Sequence, residues 1–261
     1  MSLDQPRAFV KHQTVTRDAF LGGRLTVSQP QQGFRAGLDS VLLGAAVSPG
    51  RTSLLDMGAG VGTAALVAMA HSPALQAVLA EQNPEMRALA DLNLADNQLA
   101  PRGGTLEVDV TARGTERRAA GLADNAFDVV IANPPFFADG AGTLADDAGR
   151  AGSRHMDAAA LDLWVKTAAG CAASGAEIIF IYPAESLAPL LAAVEQRFGA
   201  ITILPLTPRP EAAASRVLLR AIKGSRAPLT LLASRALHDA TGRAFLPAFD
   251  AIFRGAARLD W

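Results

Sequence analysis

Short apolar runs alternate with stretches of helical periodicity through the middle of the chain. The run Phe127–Ala132 is almost wholly apolar and ends at Asn133, which is typical of a strand buried on both faces. Thr63–His71 and Pro84–Leu99 are predicted helices, the second with proline in its first turn. The other predicted strands are Thr52–Met57, Leu75–Glu81, Leu106–Val108, Glu177–Tyr182, Ile201–Leu206, Ser215–Lys223 and Leu229–Ser234, and the other predicted helices are Asp157–Ala173 and Ala184–Phe198. This alternation predicts an α/β fold with a mostly parallel sheet between helices, and the closely spaced last strands predict an antiparallel edge.

Two segments lie outside this alternation. Residues 1–50 precede the first predicted strand of the sheet and contain a hairpin-like turn at Gly22-Gly23, between apolar residues on either side. We therefore expect an N-terminal cap over residues 1–50, packed on a catalytic domain over residues 51–261. Residues 138–153 are small, polar and rich in glycine, and we expect them to form a mobile loop beyond a strand end, where open α/β sheets bind ligands.

Composition narrows the class of protein but does not decide the substrate. The 24 Lys+Arg residues balance 25 Asp+Glu residues, which argues against a uniformly basic nucleic-acid coat without excluding nucleic acid. Cys171 is the single cysteine and the four histidines lack ligand spacing, so we expect no disulfide framework and no metal site. The longest apolar runs, such as Val41–Val47, are too short to span a membrane, and the N-terminus is charged where a signal peptide would be apolar. We expect a cytoplasmic protein with no membrane association.

A glycine-rich turn follows the first predicted strand of the sheet. Asp56 precedes Gly58, Ala59, Gly60 and Gly62, and a helix is predicted to begin at Thr63. Glycines in such a turn let the backbone bend sharply and let a ligand approach closely. A dinucleotide fingerprint would place its third glycine where Thr63 stands. The D-x-G-x-G-x-G pattern instead resembles motif I of class I S-adenosylmethionine-dependent methyltransferases, although an ordinary glycine-rich strand–helix turn remains an alternative.

Carboxylates end the next two predicted strands. Glu81, followed by Gln82, ends the second strand and can accept hydrogen bonds from both hydroxyls of a ribose. Asp109 follows the third strand, where it could accept from an adenine amino group or simply be a solvated acid. In the methyltransferase resemblance, Glu81 corresponds to the acid that binds the ribose.

The sequence Asn133-Pro134-Pro135-Phe136 follows the fourth predicted strand directly. It resembles the (D/N)PP(Y/F) motif of methyltransferases that act on planar amino or amide nitrogens. The side-chain carbonyl of Asn133 and the backbone carbonyl of Pro134 can accept hydrogen bonds from the two N–H groups of an NH2 group. These bonds would direct the lone pair of the nitrogen toward the methyl donor. The prolines hold these acceptors rigidly, and Phe136 offers a face on which the target ring can stack.

A further N-terminal segment is similar to one family of RNA methyltransferases. Residues 33–43 read GFRAGLDSVLL, close to a GFRxGxDxxLL pattern, and with the NPPF motif they resemble the bacterial tRNA(Val) adenine N6-methyltransferase family. Arg154-His155, Arg216 and the sequence IFRG at 252–255 extend the similarity over nearly the whole chain. The resemblance implies a Rossmann-like methyltransferase fold with a mostly parallel seven-stranded sheet, an antiparallel edge and an N-terminal cap. It also implies that Gly33, Gly37 and Asp39 belong to the cofactor pocket.

These features predict methyl transfer from S-adenosylmethionine to a planar exocyclic nitrogen, adenine N6 in tRNA being the substrate we expect. The set predicted to bind the cofactor is Gly37, Asp39, Asp56, Gly58, Ala59, Gly60, Gly62, Glu81, Gln82, Asp109 and Asn133, and the catalytic set is Asn133, Pro134, Pro135 and Phe136. Phenylalanine in place of tyrosine after the prolines also occurs in guanine N2-methyltransferases. A protein glutamine amide or a small molecule stays open as substrate, and a non-catalytic cofactor-binding module is a remoter alternative because such a module would not need Asn133. Which RNA is methylated and the oligomeric state stay open.

Overall fold

The computed structural model describes residues 15–32, 35–135 and 158–261. The strands are β1 (Val15–Phe20), β2 (Leu25–Pro30), β3 (Ser53–Met57), β4 (Gln76–Glu81), β5 (Gly103–Glu107), β6 (Phe127–Ala132), β7 (Ala172–Pro183), β8 (Phe198–Thr207), β9 (Arg216–Lys223), β10 (Thr230–Leu231) and β11 (Arg235–Ala236). The helices are α1 (Leu38–Ala45), α2 (Thr63–His71), α3 (Pro84–Asp96), α4 (Gly114–Ala119), α5 (Ala158–Cys171), α6 (Leu187–Glu195) and α7 (Pro247–Phe253). Within the described ranges, no helix combines the length and the apolar character needed to span a membrane.

The long strands after the hairpin form one sheet in the order β5-β4-β3-β6-β7-β9-β8. Neighbouring strands from β5 through β7 are parallel, whereas β9 is antiparallel to both β7 and β8. The short strands β10 and β11 pair with β8. The predicted α/β fold, with its mostly parallel sheet and antiparallel end, is therefore confirmed. The carboxyl ends of β3, β4, β5 and β6 lie along one edge, and this is the edge that carries the predicted site.

Both faces of the sheet are covered, which explains why its strands are continuous apolar runs. Along β3, Leu54 belongs to the cluster that packs against α1 and α2, and Leu55 belongs to the cluster that packs against α5 and α6. The side-chain period of two in a strand sends successive residues to opposite faces. In β3 and β4 the polar residues lie toward the strand ends, and Asp56 and Glu81 lie toward the carboxyl ends.

The N-terminal segment forms the predicted hairpin and also an unpredicted helix. Strands β1 and β2 are antiparallel, with Phe20 opposite Leu25 across the turn at Gly22-Gly23. Helix α1 follows the hairpin and packs against α2. The separation of a cap over residues 1–50 from a domain over residues 51–261 stays a prediction.

Candidate cofactor and catalytic site

Three glycines after β3 take the left-handed backbone conformation that favours glycine. Their φ angles are +65° at Gly58, +56° at Gly60 and +86° at Gly62. A Cβ on Gly58 would lie 2.5 Å from the Trp164 ring, and one on Gly62 would lie 2.6 Å from Leu79. The turn therefore needs glycine both for its dihedral angles and for its packing. It brings the chain from β3 directly into α2.

Asp56, the last but one residue of β3, is a buried acid beside this turn. Only 3% of its surface is exposed, and its Oδ2 accepts a hydrogen bond of 3.2 Å from the amide of Ala65 in α2. Burial raises the pKa of Asp56 to about 7, and the nearby charge of Glu81 acts in the same direction. The pocket therefore contains an acid that changes charge near neutral pH.

Glu81 joins the glycine turn to the end of β4. Its Oε2 accepts from the amide of Gly60 at 2.8 Å, and its Oε1 accepts from the amide of Asn83 at 2.8 Å. Glu81 is buried, whereas the adjacent Gln82 is exposed. Each carboxylate oxygen keeps a second lone pair, so both can also accept from a ligand hydroxyl.

Asp109 lies beyond β5 on the same edge of the sheet. Its Oδ1 accepts from the amide and the hydroxyl of Thr111, at 2.8 and 2.7 Å. The residue is exposed, so these bonds fix the direction of its carboxylate rather than bury it. Asp109 can therefore contact a ligand that extends outward along the sheet edge from Glu81.

Asn133 lies directly after β6 and shares a pocket with Asp56. Its Oδ1 is buried and has no hydrogen-bond partner among the residues that the structure describes. Pro134 is buried and Pro135 is exposed. Because a buried carbonyl without a partner costs about 1–3 kcal/mol, an unpaired oxygen of this kind is a good indication of a ligand group that would pair with it.

The pocket around Asn133 and Asp56 suits a cofactor that has both apolar and polar parts. The Oγ1 of Thr63 is a second buried oxygen without a partner among the described residues. The pocket is lined by Ala36, Ser40, Leu43, Asp56, Gly58, Ala59, Val61, Thr63, Ala64 and Asn133. A carboxylate, a threonine hydroxyl without a partner among the described residues and a glycine turn fit the ammonium and carboxylate groups of S-adenosylmethionine.

The N-terminal residues predicted for the cofactor pocket have different positions. Gly37 precedes α1 and is exposed, and Asp39 forms an ion pair with Arg216 of β9, with 2.9 Å between Oδ2 and Nε. The neighbours Ala36 and Ser40 line the pocket instead. Sequence reasoning missed both of them, although their place inside the GFRAGLDS segment was a usable signal.

Some of the predicted residues lie outside the described ranges. These are Gly33, Phe136, the 138–153 segment and Arg154-His155. The predicted residues that end or follow β3, β4, β5 and β6 lie at the carboxyl edge of the sheet. Glu81 contacts the glycine turn directly, and Asp56 shares its pocket with Asn133.

Comparisons with known proteins bear on the family and the fold of the chain. The family model for the methyltransferase small domain matches residues 38–156. A solved Agrobacterium tumefaciens structure, described as a predicted O-methyltransferase, is 34% identical and has a TM-score of 0.72. The match covers 85% of this chain and 98% of that one.

Two curated relatives match over shorter spans. A tRNA1(Val) (adenine(37)-N6)-methyltransferase of a Flavobacteriaceae bacterium is 32% identical over 116 residues, 44% of this chain and 46% of that protein. A release factor glutamine methyltransferase of Caulobacter vibrioides is 34% identical over 84 residues, 32% of this chain and 26% of that protein. The chain thus spans less than half the length of either relative. By its similarity to the Agrobacterium structure over 85% of its length, and by its fold, the chain belongs to the S-adenosylmethionine-dependent methyltransferases.

Proposed function

We propose that this protein methylates the exocyclic N6 of an adenine in tRNA, with S-adenosylmethionine as donor. The observation that carries the proposal is the buried Oδ1 of Asn133, which has no partner among the described residues, in the pocket that Asp56 and the glycine turn line. An amide carbonyl in this position is suited to accept a hydrogen bond from a planar NH2 group. The tRNA1(Val) adenine N6-methyltransferase relative supports adenine as the base.

The proposed cofactor contacts follow the sheet edge. Asp56, Thr63 and Ser40 would hold the methionine end, whose sulfonium carries the transferable methyl group. Glu81, with Gln82 beside it, would accept from the ribose hydroxyls, and Asp109 would accept from the adenine amino group. Gly58, Ala59, Gly60 and Gly62 would let the cofactor lie against the backbone, and we propose that Gly37 and Asp39 act through the position of α1.

Asn133 and Pro134 would act by orienting the target nitrogen. Their two carbonyl oxygens each accept one N–H, which directs the nitrogen lone pair at the methyl group. Neither group removes a proton before transfer, because the attacking amine is neutral. As the N–C bond forms, the bond from the methyl group to sulfur would break and leave S-adenosylhomocysteine, and the extra proton on nitrogen would then leave to solvent. Pro135 makes the loop rigid, and Phe136 is proposed to stack on the base. A base in a duplex is out of reach of such a loop, so the target lies in a tRNA loop or is flipped out.

The test is transfer of labelled methyl to unmodified tRNA, followed by digestion to nucleosides. We expect label in N6-methyladenosine, and we expect Asn133→Ala to lower kcat by roughly a hundredfold because the amino group is no longer held. Binding of S-adenosylmethionine should weaken far less than kcat in this variant. Asn133→Asp, which keeps a carbonyl-type acceptor, should retain more activity than Asn133→Ala. Full activity of Asn133→Ala would contradict the proposed role.

A second candidate is a glutamine amide in a protein, which the release factor glutamine methyltransferase relative favours. Its planar NH2 group presents the same two protons to Asn133 and Pro134. A protein extract assayed in parallel with the tRNA separates the two substrates. Label in protein alone would exclude tRNA, whereas label in N2-methylguanosine would keep RNA as substrate and change the base. Label in neither polymer, but in a small molecule, would fit the O-methyltransferase description of the Agrobacterium structure.

A cytoplasmic location is a further part of the proposed function.

A further inference from the structure

The side chain of Asn93 is fully buried between the N-terminal hairpin and the glycine turn. Its Oδ1 accepts from the amide of Ser28 in β2 at 2.7 Å. Its Nδ2 donates to the carbonyl of Ser28 and to the carbonyl of Val61, each at 2.9 Å. A primary amide has two N–H groups, so both are used. One side chain therefore joins three elements: helix α3, strand β2 and the turn after β3.

Asn97, the residue directly after the end of α3, contacts the same strand in the same way. Its Oδ1 accepts from the amide of Thr26 at 2.9 Å, and its Nδ2 donates to the carbonyl of Thr26 at 2.8 Å. Residues at i and i+4 lie on one face of a helix, and residues two apart on a strand present the same edge. The two asparagines thus give β2 the backbone hydrogen bonds that a neighbouring strand would otherwise give it. They differ in one contact, because Asn97 donates to the carbonyl of Asn93 at 2.7 Å and not to the glycine turn.

The hairpin also reaches the opposite wall of the pocket. Gln29, next to Ser28, is 2% exposed, and its Oε1 accepts from the amide of Ala36 at 2.9 Å. Ala36 lines the pocket on the α1 side, and Val61 lines it on the side of the glycine turn. Strand β2 is therefore bonded to both walls, through Gln29 on one side and through Asn93 on the other.

We propose that Asn93 is a positioning residue for the cofactor. It holds the Val61 carbonyl, and with it the backbone between Gly60 and Gly62, in the conformation that binds S-adenosylmethionine. It also couples the hairpin to the cofactor, so that a ligand on the turn stabilises the hairpin contacts. The inference rests on the assignment of the glycine turn to S-adenosylmethionine and does not depend on which substrate is methylated.

The direct test compares Asn93→Ala with Asn97→Ala, because both variants lose two hydrogen bonds to β2. We expect similar losses of thermal stability in the two variants. The Kd for S-adenosylmethionine, measured by titration calorimetry, should rise roughly tenfold in Asn93→Ala alone, since only this variant leaves the Val61 carbonyl unpaired. An equal Kd in both variants would overturn the proposal.

A measurement on the wild-type protein tests the coupling between the hairpin and the cofactor even if Asn93→Ala does not fold. The Ser28 amide donates a hydrogen bond to Asn93, and the Thr26 amide donates one to Asn97. Saturating S-adenosylmethionine should slow hydrogen exchange of the Ser28 amide more than that of the Thr26 amide. Equal slowing at both amides would contradict the coupling. If the wild-type protein binds no S-adenosylmethionine, the cofactor assignment itself is wrong. If the wild type binds S-adenosylmethionine and Asn93→Ala binds it equally well, the cofactor assignment stands and only the proposed role of Asn93 is wrong.

Discussion

At the scale of single residues, the glycine turn tolerates no side chain at Gly58. Gly58 and Gly50 both have positive φ, +65° and +82°, but only Gly58 has a buried neighbour, Trp164, in the space of a Cβ. Gly58→Ala adds a clash to the backbone strain, so it should lower the free energy of unfolding by about 3 kcal/mol, against about 1 kcal/mol for Gly50→Ala. Urea unfolding of the two variants measures the difference. Similar losses would show that Trp164 moves aside without cost.

The buried acid Asp56 should make stability depend on pH. Burial raises the pKa of Asp56 from its usual 3.8 to about 7 in the folded protein. Between these values the folded protein holds a proton that the unfolded chain has lost. The contribution of Asp56 to the free energy of unfolding therefore falls as the pH rises from about 4 to about 7, and it changes little beyond.

Asp56→Asn removes this titration and supplies the control. Unfolding of both proteins at pH 5, 6, 7 and 8 should show the wild type losing stability relative to the variant up to about pH 7. Parallel curves for the two proteins would mean that the pKa of Asp56 in the folded protein is close to its usual value.

At the scale of elements, boundaries were predictable where local chemistry marks them. Helix α2 begins after Gly62, and β6 ends before the prolines, so both were predicted to the residue. Strand β7 begins at Ala172 and not at Glu177, because Ser174-Gly175 has the sequence of a turn yet lies in the strand. The predicted strand Leu229–Ser234 is reduced to the exposed pair Thr230–Leu231.

Helix α1 was missed because no local signal marks its start. Gly37 precedes it without a side-chain cap, whereas α2 begins directly after the glycine turn. The ion pair of Asp39 with Arg216 joins residues 177 positions apart, and no local pattern could show it. The contacts of Asn93 were missed for the same reason, although two asparagines four residues apart in a predicted helix were a signal. The glycine turn and the NPPF motif were readable because all of their chemistry is local.

At the scale of the whole molecule, the C-terminal segment completes the end of α1. The last turn of a helix leaves its carbonyls without partners in the helix. The amide of Leu259 donates to the carbonyl of Ala45 at 3.0 Å, and Nε1 of Trp261 donates to that of Ala46 at 2.9 Å. Arg258 donates to the carbonyl of Val47 at 3.2 Å. Three successive carbonyls are thus paired by residues more than 200 positions away.

The guanidinium of Arg220 lies 4.6 Å from the centre of the Trp261 ring, which fastens the same segment to β9. Deletion of residues 258–261 should lower the free energy of unfolding by about 4 kcal/mol, from the lost hydrogen bonds and the burial of Leu259. It should also weaken binding of S-adenosylmethionine, because α1 carries Ser40 into the pocket. Asp260→Ala, whose side chain is exposed, is the matched control and should change neither quantity. Thermal unfolding with and without S-adenosylmethionine measures both effects, and a deletion variant as stable as Asp260→Ala would show that the segment does not support α1.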